Sequence, residues 1–70
     1  MSTYLRNDRI VREAERQKIT SISRSQAFQL ERQNRFPKRI KLGSRSVGWR
    51  LSELQKWVSK VAEQGSIEEL

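Results

Sequence analysis

The sequence predicts a mostly α-helical domain with one small β-hairpin, and three observations support this prediction. Ser23 is followed three residues later by Gln26, which is the spacing of a capping box at the start of a helix. The same spacing returns at Ser52 and Gln55, ahead of a second periodic segment. Between these two helix starts, alternating apolar residues flank residues 43–46 (Gly-Ser-Arg-Ser), which is the pattern of a hairpin.

The chain opens with elements whose apolar pattern is weak. Residues 1–7 are polar, and we expect them to be flexible. Residues 8–12 predict a short strand that sends Ile10 or Val11 into the core. Residues 13–19 predict a helix, because they contain good helix formers with acids at the N-terminal end, as the helix dipole favours. Its expected apolar face is small and includes the aliphatic stem of a base: Ala14, Ile19 and either Arg16 or Lys18.

A tight turn at residues 20–21 separates this helix from the next one, which begins at the N-cap Ser23. Ile22, just outside the cap, can pack on Ala27 as a hydrophobic staple. We expect the second helix to end near Asn34, a residue that tolerates the left-handed conformation. A helix, a short turn and a capped helix together predict a helix-turn-helix.

The helix at residues 23–33 has an outward face that suits contact with DNA. At about 100° per residue, Ala27 and Leu30 fall on its inner side. The outward side carries small, amide and guanidinium groups: Ser25, Gln29 and Arg32, with Phe28 at the edge. Such groups hydrogen-bond to base edges and phosphates in a major groove, which favours a recognition helix. The alternatives are an ordinary solvated surface for this face and a place in the core for Phe28.

Pro37 ends the helical region, and a hairpin follows it. Its strands carry apolar residues at every second position: Ile40 and Leu42, then Val47 and Trp49. This alternation predicts an apolar inner face and a basic outer face, with Arg45 at the tip of a four-residue turn, 43–46.

A last amphipathic helix is expected at residues 51–62, and a short C-terminal tail at residues 63–70. The folded domain thus spans residues 8–62. The predicted core contains the apolar residues that are in phase with apolar neighbours: Ile22, Leu30, Ile40, Val47, Trp49, Leu54 and Trp57.

Charge and composition favour a polyanionic partner. The 70 residues carry a net charge of +7 at pH 7, and the segment 36–50 contains five bases and no acid. Neither Cys nor His is present to bind zinc, the carboxylates show no pairing, and no Gly-rich phosphate loop occurs. We therefore expect a cytoplasmic protein that is not an enzyme and uses no cofactor or metal. No apolar run is long enough to predict a membrane span.

Four short motifs, in this order and spacing, resemble the AlpA-like phage and prophage regulators, which are relatives of the MerR and excisionase winged helix-turn-helix domains. They are residues 23–25 (Ser-Arg-Ser), 36–38 (Phe-Pro-Lys), 42–43 (Leu-Gly) and 46–49 (Ser-Val-Gly-Trp). The opening residues 8–15 and the closing residues 53–58 are also similar, so the resemblance covers residues 8–61. The chain departs from the family at Arg16 and Gln17, where members usually have apolar residues, and at Ser21, where Gly is common.

The resemblance implies that helix 23–33 binds the DNA major groove and that the hairpin is a wing on the backbone or minor groove. Together with the basic hairpin, it predicts these DNA-binding residues: Ser23, Arg24, Ser25, Gln26, Phe28, Gln29, Arg32, Lys38, Arg39, Lys41, Ser44, Arg45 and Ser46. The expected protein is a sequence-specific binder of double-stranded DNA, either a phage or mobile-element transcriptional regulator or an excisionase. The expected protein partner is either integrase or RNA polymerase, and cooperative self-association on DNA is also expected. The alternatives are a protein-interaction module that binds a recombinase or regulator, and a structured-RNA binder.

Overall fold

Three helices and a small antiparallel sheet follow one another in the computed structural model, which describes residues 8–69. In chain order the elements are β1 (Ile10–Val11), α1 (Glu13–Thr20), α2 (Arg24–Arg32), β2 (Ile40–Lys41), β3 (Val47–Arg50), α3 (Leu51–Gln64) and a C-terminal 3-10 turn (Ile67–Glu69). The predicted fold class, mostly α with a small hairpin, is confirmed. The flexible segment expected at residues 1–7 lies outside the described residues.

Two serines shape the turn between α1 and α2. Ser21 adopts the left-handed conformation (φ 62°) that ends α1, and its N–H donates to the carbonyl oxygen of Gln17 over 2.8 Å. Ser23 caps α2, because its Oγ accepts a hydrogen bond from the N–H of Gln26 over 3.1 Å. Residues 21–23 are all that separate the two helices, so the predicted helix-turn-helix is confirmed.

The end of α2 also agrees with the prediction. Asn34 adopts the left-handed conformation (φ 61°), and the N–H of Arg35 donates to the carbonyl oxygen of Leu30 over 2.8 Å. This bond satisfies one of the last free carbonyl groups of the helix. Phe36 then enters the core, where its ring packs edge-to-face on Trp57 with 5.0 Å between the centroids.

The sheet has β3 in the centre, with β1 and β2 on either side of it. Val11 pairs with Trp49 in the first antiparallel ladder, and Lys41 pairs with Val47 in the second. A helix-turn-helix followed by this hairpin and a covering helix is a winged helix-turn-helix, as the sequence predicts.

The predicted inner face of β2 is wrong, because the hairpin is shifted by one residue. A four-residue turn would pair Leu42 with Val47 and send both side chains to the core. The N–H of Leu42 instead donates to the carbonyl oxygen of Ser46 over 2.8 Å, so the loop is one residue shorter. Ile40 therefore lies opposite Gly48, on the outer face of the sheet. Ile40 is 38% and Leu42 43% exposed, so Ile40 does not belong to the core.

The core lies between the inner face of the sheet and the three helices. Its buried apolar residues are Val11, Ile22, Ala27, Leu30, Phe36, Trp49, Leu54 and Trp57, and Val47 packs against them half-buried. The apolar face predicted for α1 is wrong at Ala14, which is exposed. Arg16 faces the core instead and is 0% exposed.

Arg16 is tolerated in the core because the whole guanidinium has partners. Its Nη1 donates to the carbonyl oxygen of Ile22 over 2.7 Å and to Oγ1 of Thr20 over 3.1 Å. Its Nε and Nη2 bind the carboxylate of Glu13, and its Cζ lies 5.6 Å from the ring centroid of Trp49. One side chain thus joins α1, the turn and β3.

The helix α3 begins at Leu51, as predicted, but Ser52 is not its cap. Ser52 lies in the first turn, where its N–H and its Oγ donate to the carboxylate of Asp8 over 2.9 and 3.0 Å. Arg50 lies beside the same carboxylate, with 3.1 Å between its Nε and Oδ2 of Asp8. The hydrogen bond from the Ser52 N–H is the main cause that lowers the pKa of Asp8, and the Arg50 charge lowers it further.

The C-terminal end of α3 runs two residues beyond the predicted boundary, to Gln64. Gly65 then adopts the left-handed conformation (φ 78°) that ends the helix. In the 3-10 turn, Ile67 packs against the core, and its carbonyl oxygen accepts a hydrogen bond from Nη2 of Arg35 over 2.9 Å.

Candidate DNA-binding surface

The side of α2 opposite the core is polar and lacks a free carboxylate. Burial of Ala27 and Leu30 turns the other side of the helix to solvent. Five of the predicted site residues are exposed along the helix: Arg24, Ser25, Gln26, Gln29 and Arg32. The one acid of α2, Glu31, lies 3.8 Å from Nε of Arg39, measured to its Oε1. The exposed side of α2 is therefore neutral or positive.

Phe28 is half-buried between two guanidinium groups. The Cζ atom of Arg39 lies 4.4 Å from the ring centroid, and that of Arg24 lies 5.3 Å from it. Such contacts contribute about 0.5–2 kcal/mol. Phe28 therefore lies at the edge of the core, with its ring in contact with guanidinium groups. Its contact with Arg24 helps to hold that side chain at the start of α2. Arg39, which also contacts Glu31, connects the segment before β2 to the same helix.

A cleft of about 320 Å³ lies between the start of α2 and the hairpin tip. We call this cavity the wing cleft, and Arg24, Phe28, Arg45 and Ser46 lie along it. Within the part of the chain that the structure describes, no carboxylate lies within ion-pairing distance of Arg24 or Arg45. The cleft therefore brings the helix and the wing together around positive charge.

Two further residues of the wing cleft matter for its chemistry. Trp49 lines it, and the buried Nε1–H of Trp49 has no hydrogen-bond acceptor among the described residues. The other tryptophan differs in this respect, since Nε1–H of Trp57 donates to the carbonyl oxygen of Arg35 over 2.9 Å. Glu13 also lines the cleft, but it is paired with Arg16.

The remaining predicted site residues are divided between two faces of the sheet. On the wing, Lys41 and Ser44 are exposed and Ser46 is half-buried. Lys38 and Arg39 instead line a cavity of about 800 Å³ on the outer face of the sheet, which we call the outer groove. Because side chains alternate along β3, this groove and the wing cleft lie on opposite faces.

Arg12 is a residue of the wing cleft that the sequence reasoning did not include. It is exposed, directly precedes α1 and lines the wing cleft. The pairing of β1 with β3 brings Arg12 near the wing, although Arg12 and Arg45 are far apart in the chain. The one available signal was a base at the end of the predicted strand 8–12, and no pattern in the sequence indicated which strand β1 would pair with.

Other kinds of site have no support in the described residues. Among residues 8–69, no group of three or more acidic side chains is placed to bind a metal ion. None of the helices in that range has the length and apolar character needed to cross a bilayer.

Comparison with known proteins agrees with the winged helix-turn-helix fold described above. The family model described as prophage CP4-57 regulatory protein (AlpA) matches residues 9–62 of the chain. A search of curated proteins gave no match. The matched range begins one residue before β1, includes the helix-turn-helix and the wing, and ends two residues before the end of α3. The chain belongs to the AlpA family of prophage regulatory proteins.

Proposed function

We propose that the protein binds double-stranded DNA sequence-specifically and acts as a prophage or mobile-element transcriptional regulator or excisionase. In this proposal, α2 enters the major groove, where Ser25, Gln29 and Arg32 contact base edges and phosphates. Arg45 on the wing contacts the backbone or the minor groove. One observation supports the proposal above all others: the carboxylate-free face of α2 and the wing tip flank one positively charged cleft. Bound protein would then change the access of RNA polymerase or integrase to the site.

The wing cleft suits a phosphate group of the DNA backbone. Arg12, Arg24 and Arg45 lie around it, and guanidinium groups bind phosphate oxygens strongly. A phosphate at this position would fix the register of α2 in the groove while carrying no sequence information. Arg12 is therefore included among the proposed DNA-binding residues.

The test compares a base-reading residue with a backbone-contacting one. Genome-wide mapping of bound sites first supplies a specific duplex. Gln29→Ala should then lose about 1–3 kcal/mol of binding free energy on that duplex and little on random DNA. Arg45→Ala should weaken binding to both duplexes and reduce the salt dependence by about one phosphate contact. Gln17→Ala and Lys18→Ala, on the exposed side of α1, are matched controls that should change neither quantity.

Three results would contradict the proposal. Equal losses of binding free energy on specific and random duplexes, for both Gln29→Ala and Arg45→Ala, would contradict the assignment of base reading to Gln29 and backbone contact to Arg45. Failure to bind any duplex would contradict the proposed DNA binding itself. Equal competition by duplex RNA would favour the RNA alternative, because the deep, narrow major groove of A-form RNA excludes a helix.

The two tryptophans offer an independent check on the wing cleft. The indole N–H signal of Trp49, which has no acceptor, should shift in NMR spectra when duplex DNA is added. The signal of Trp57, already bonded to Arg35, serves as the internal control. Shifts of equal size in both signals would indicate a general change of the core rather than a ligand in the cleft.

A further inference from the structure

The outer groove carries exposed aliphatic side chains that the core does not use. Ile10 is 42% and Ile40 38% exposed, and both line the groove. Leu42, 43% exposed, lies beside them on the same face of the sheet. Neighbouring exposed aliphatic groups of this size on a small domain indicate an interaction surface.

Gly48 allows this aliphatic surface to form. A β-carbon at position 48 would lie 2.5 Å from Cγ2 of Ile10 and 3.1 Å from Cδ1 of Leu42. It would also lie 3.0 Å from the carbonyl oxygen of Val11, which is backbone and cannot move freely. The side chains of Ile10 and Leu42 therefore close over the glycine and make one continuous surface from β1 to β2.

The sides of the groove are strongly basic. Lys38, Lys56 and Lys60 line it, and none of the three pairs with a carboxylate within the described part of the chain. Glu53 is the one acidic residue in its lining. The groove thus combines an aliphatic floor with unpaired positive charges on its sides.

Nucleic acid does not match this chemistry. Bases bind to protein surfaces by stacking on exposed aromatic faces or planar guanidinium groups. The aromatic residues of the groove, Phe36 and Trp57, are buried and pack on each other. Its guanidinium groups are already engaged within the domain: Arg35 donates to the carbonyl oxygen of Ile67, Arg39 stacks on Phe28, and Arg50 pairs with Asp8. An aliphatic floor instead matches aliphatic side chains, as in grooves that bind an amphipathic peptide.

The protein's own C-terminal segment does not match it either. Glu63 and Glu68 are exposed and have the required charge. However, Ile67 already packs against its own core, and Arg35 binds its carbonyl oxygen. A second copy could therefore supply acidic groups to the groove but not the aliphatic anchor.

We propose that the outer groove binds an acidic amphipathic segment of a partner protein, with its aliphatic side chains on Ile10 and Ile40 and its carboxylates on Lys38, Lys56 and Lys60. The groove lies on the face of the sheet opposite the wing cleft, so the partner binds while DNA occupies α2 and the wing. The surface thereby gives the domain a second attachment that does not depend on which DNA sequence it recognises.

The test uses a defined probe and the full chain. The probe is a labelled helical peptide with leucines on one face and glutamates on the other, and its control replaces glutamate by lysine. In NMR titrations the acidic peptide should produce saturable shifts at Ile10, Ile40, Lys56 and Lys60, with and without bound duplex. The lysine peptide should produce none. Ile40→Ser should weaken binding of the acidic peptide about tenfold, as expected for loss of an interface anchor.

Matched variants separate this site from the DNA surface. Ile40→Val keeps an aliphatic side chain and should retain binding. Lys56→Glu with Lys60→Glu should abolish peptide binding, whereas Lys18→Glu, an exposed charge reversal on α1, should retain it. Ile40→Ser should leave the affinity for duplex DNA unchanged, so this proposal and the DNA-binding proposal can fail separately.

Several outcomes would overturn the proposal. One is the absence of saturable shifts up to millimolar peptide, and another is shifts confined to α2 and the wing. Groove shifts on raising the concentration of the protein alone would identify a second copy as the occupant. Groove shifts on adding excess duplex would identify nucleic acid.

Discussion

At the scale of single residues, Arg16 shows how a chain with few apolar residues in α1 still builds a core. Its guanidinium replaces the aliphatic side chain that such a position usually holds, and each of its three nitrogens donates a hydrogen bond. The cost of burying the charge is offset by Glu13 and by hydrogen bonds to Thr20 and Ile22. Since Ile22 directly precedes the cap of α2, Arg16 also helps to fix the position from which α2 starts.

Arg16→Ala should lower the free energy of unfolding by about 3 kcal/mol. This is the lower end of the range for breaking a buried ion pair, because 34% of the Glu13 side chain is exposed. Arg16→Met should lose less, since it keeps the packing on Trp49 and removes both the charge and its desolvation cost. Urea denaturation of the three proteins measures the difference. Equal stability of the Ala and Met variants would show that packing on Trp49 contributes nothing.

At the scale of elements, the sequence predicts what depends on local pattern. The Ser23 cap, the left-handed Asn34 and the alternation in β3 were all readable, because each depends on neighbours within a few residues. The position of Ile40 could not be predicted from the sequence. A change of one residue in the length of the hairpin loop moves every side chain of the strand to the opposite face of the sheet. The role of Asp8 could not be predicted either, because its partner Ser52 is 44 residues away in the chain.

The Asp8 contact makes the start of α3 sensitive to acid. The pKa of Asp8 is lowered in the folded state, so its contribution to stability is present above the unfolded value, near 4, and is lost as pH falls through the folded value. Wild type should therefore lose more thermal stability than Asp8→Asn when pH is lowered from neutral to about 3. Thermal melts monitored by circular dichroism at the two pH values measure this. Parallel losses in both proteins would contradict the assignment. The pKa of Glu15 is also lowered, mainly by its hydrogen bond from Arg9, but this contact is present in both proteins and does not contribute to the difference between them.

At the scale of the whole molecule, charge is divided between a basic hairpin and an acidic C-terminal end. In the proposed mode of DNA binding, one short helix and one wing contact too few bases to supply the roughly 4–10 kcal/mol by which specific binding exceeds non-specific binding. We therefore propose that several copies bind adjacent DNA repeats, with the acidic end of one copy near the basic hairpin of the next. This arrangement is head-to-tail and needs no two-fold axis.

Glu63→Gln with Glu68→Gln should reduce cooperative binding to a fragment with several sites and leave single-site affinity nearly unchanged. Substitution is preferable to deletion of residues 63–70, because deletion would remove Ile67 from the core. Quantitative footprinting on single-site and multi-site fragments measures both quantities, and Glu53→Gln at the other end of α3 is the control. Cooperativity that survives the double substitution, or a native target with one isolated site, would rule out the array.

The central place of β3 also determines when the protein can finish folding during its synthesis. Val11 can form its strand pair only after Trp49 has been synthesised. The ribosome adds Trp49 thirty-eight residues after Val11, which takes about 2–8 s at ordinary rates of translation. Until then the newly made helix-turn-helix has no indole ring against Arg16 and no strand beside β1. A messenger truncated before the codon for Trp49 would therefore yield α2 without a folded domain to hold it.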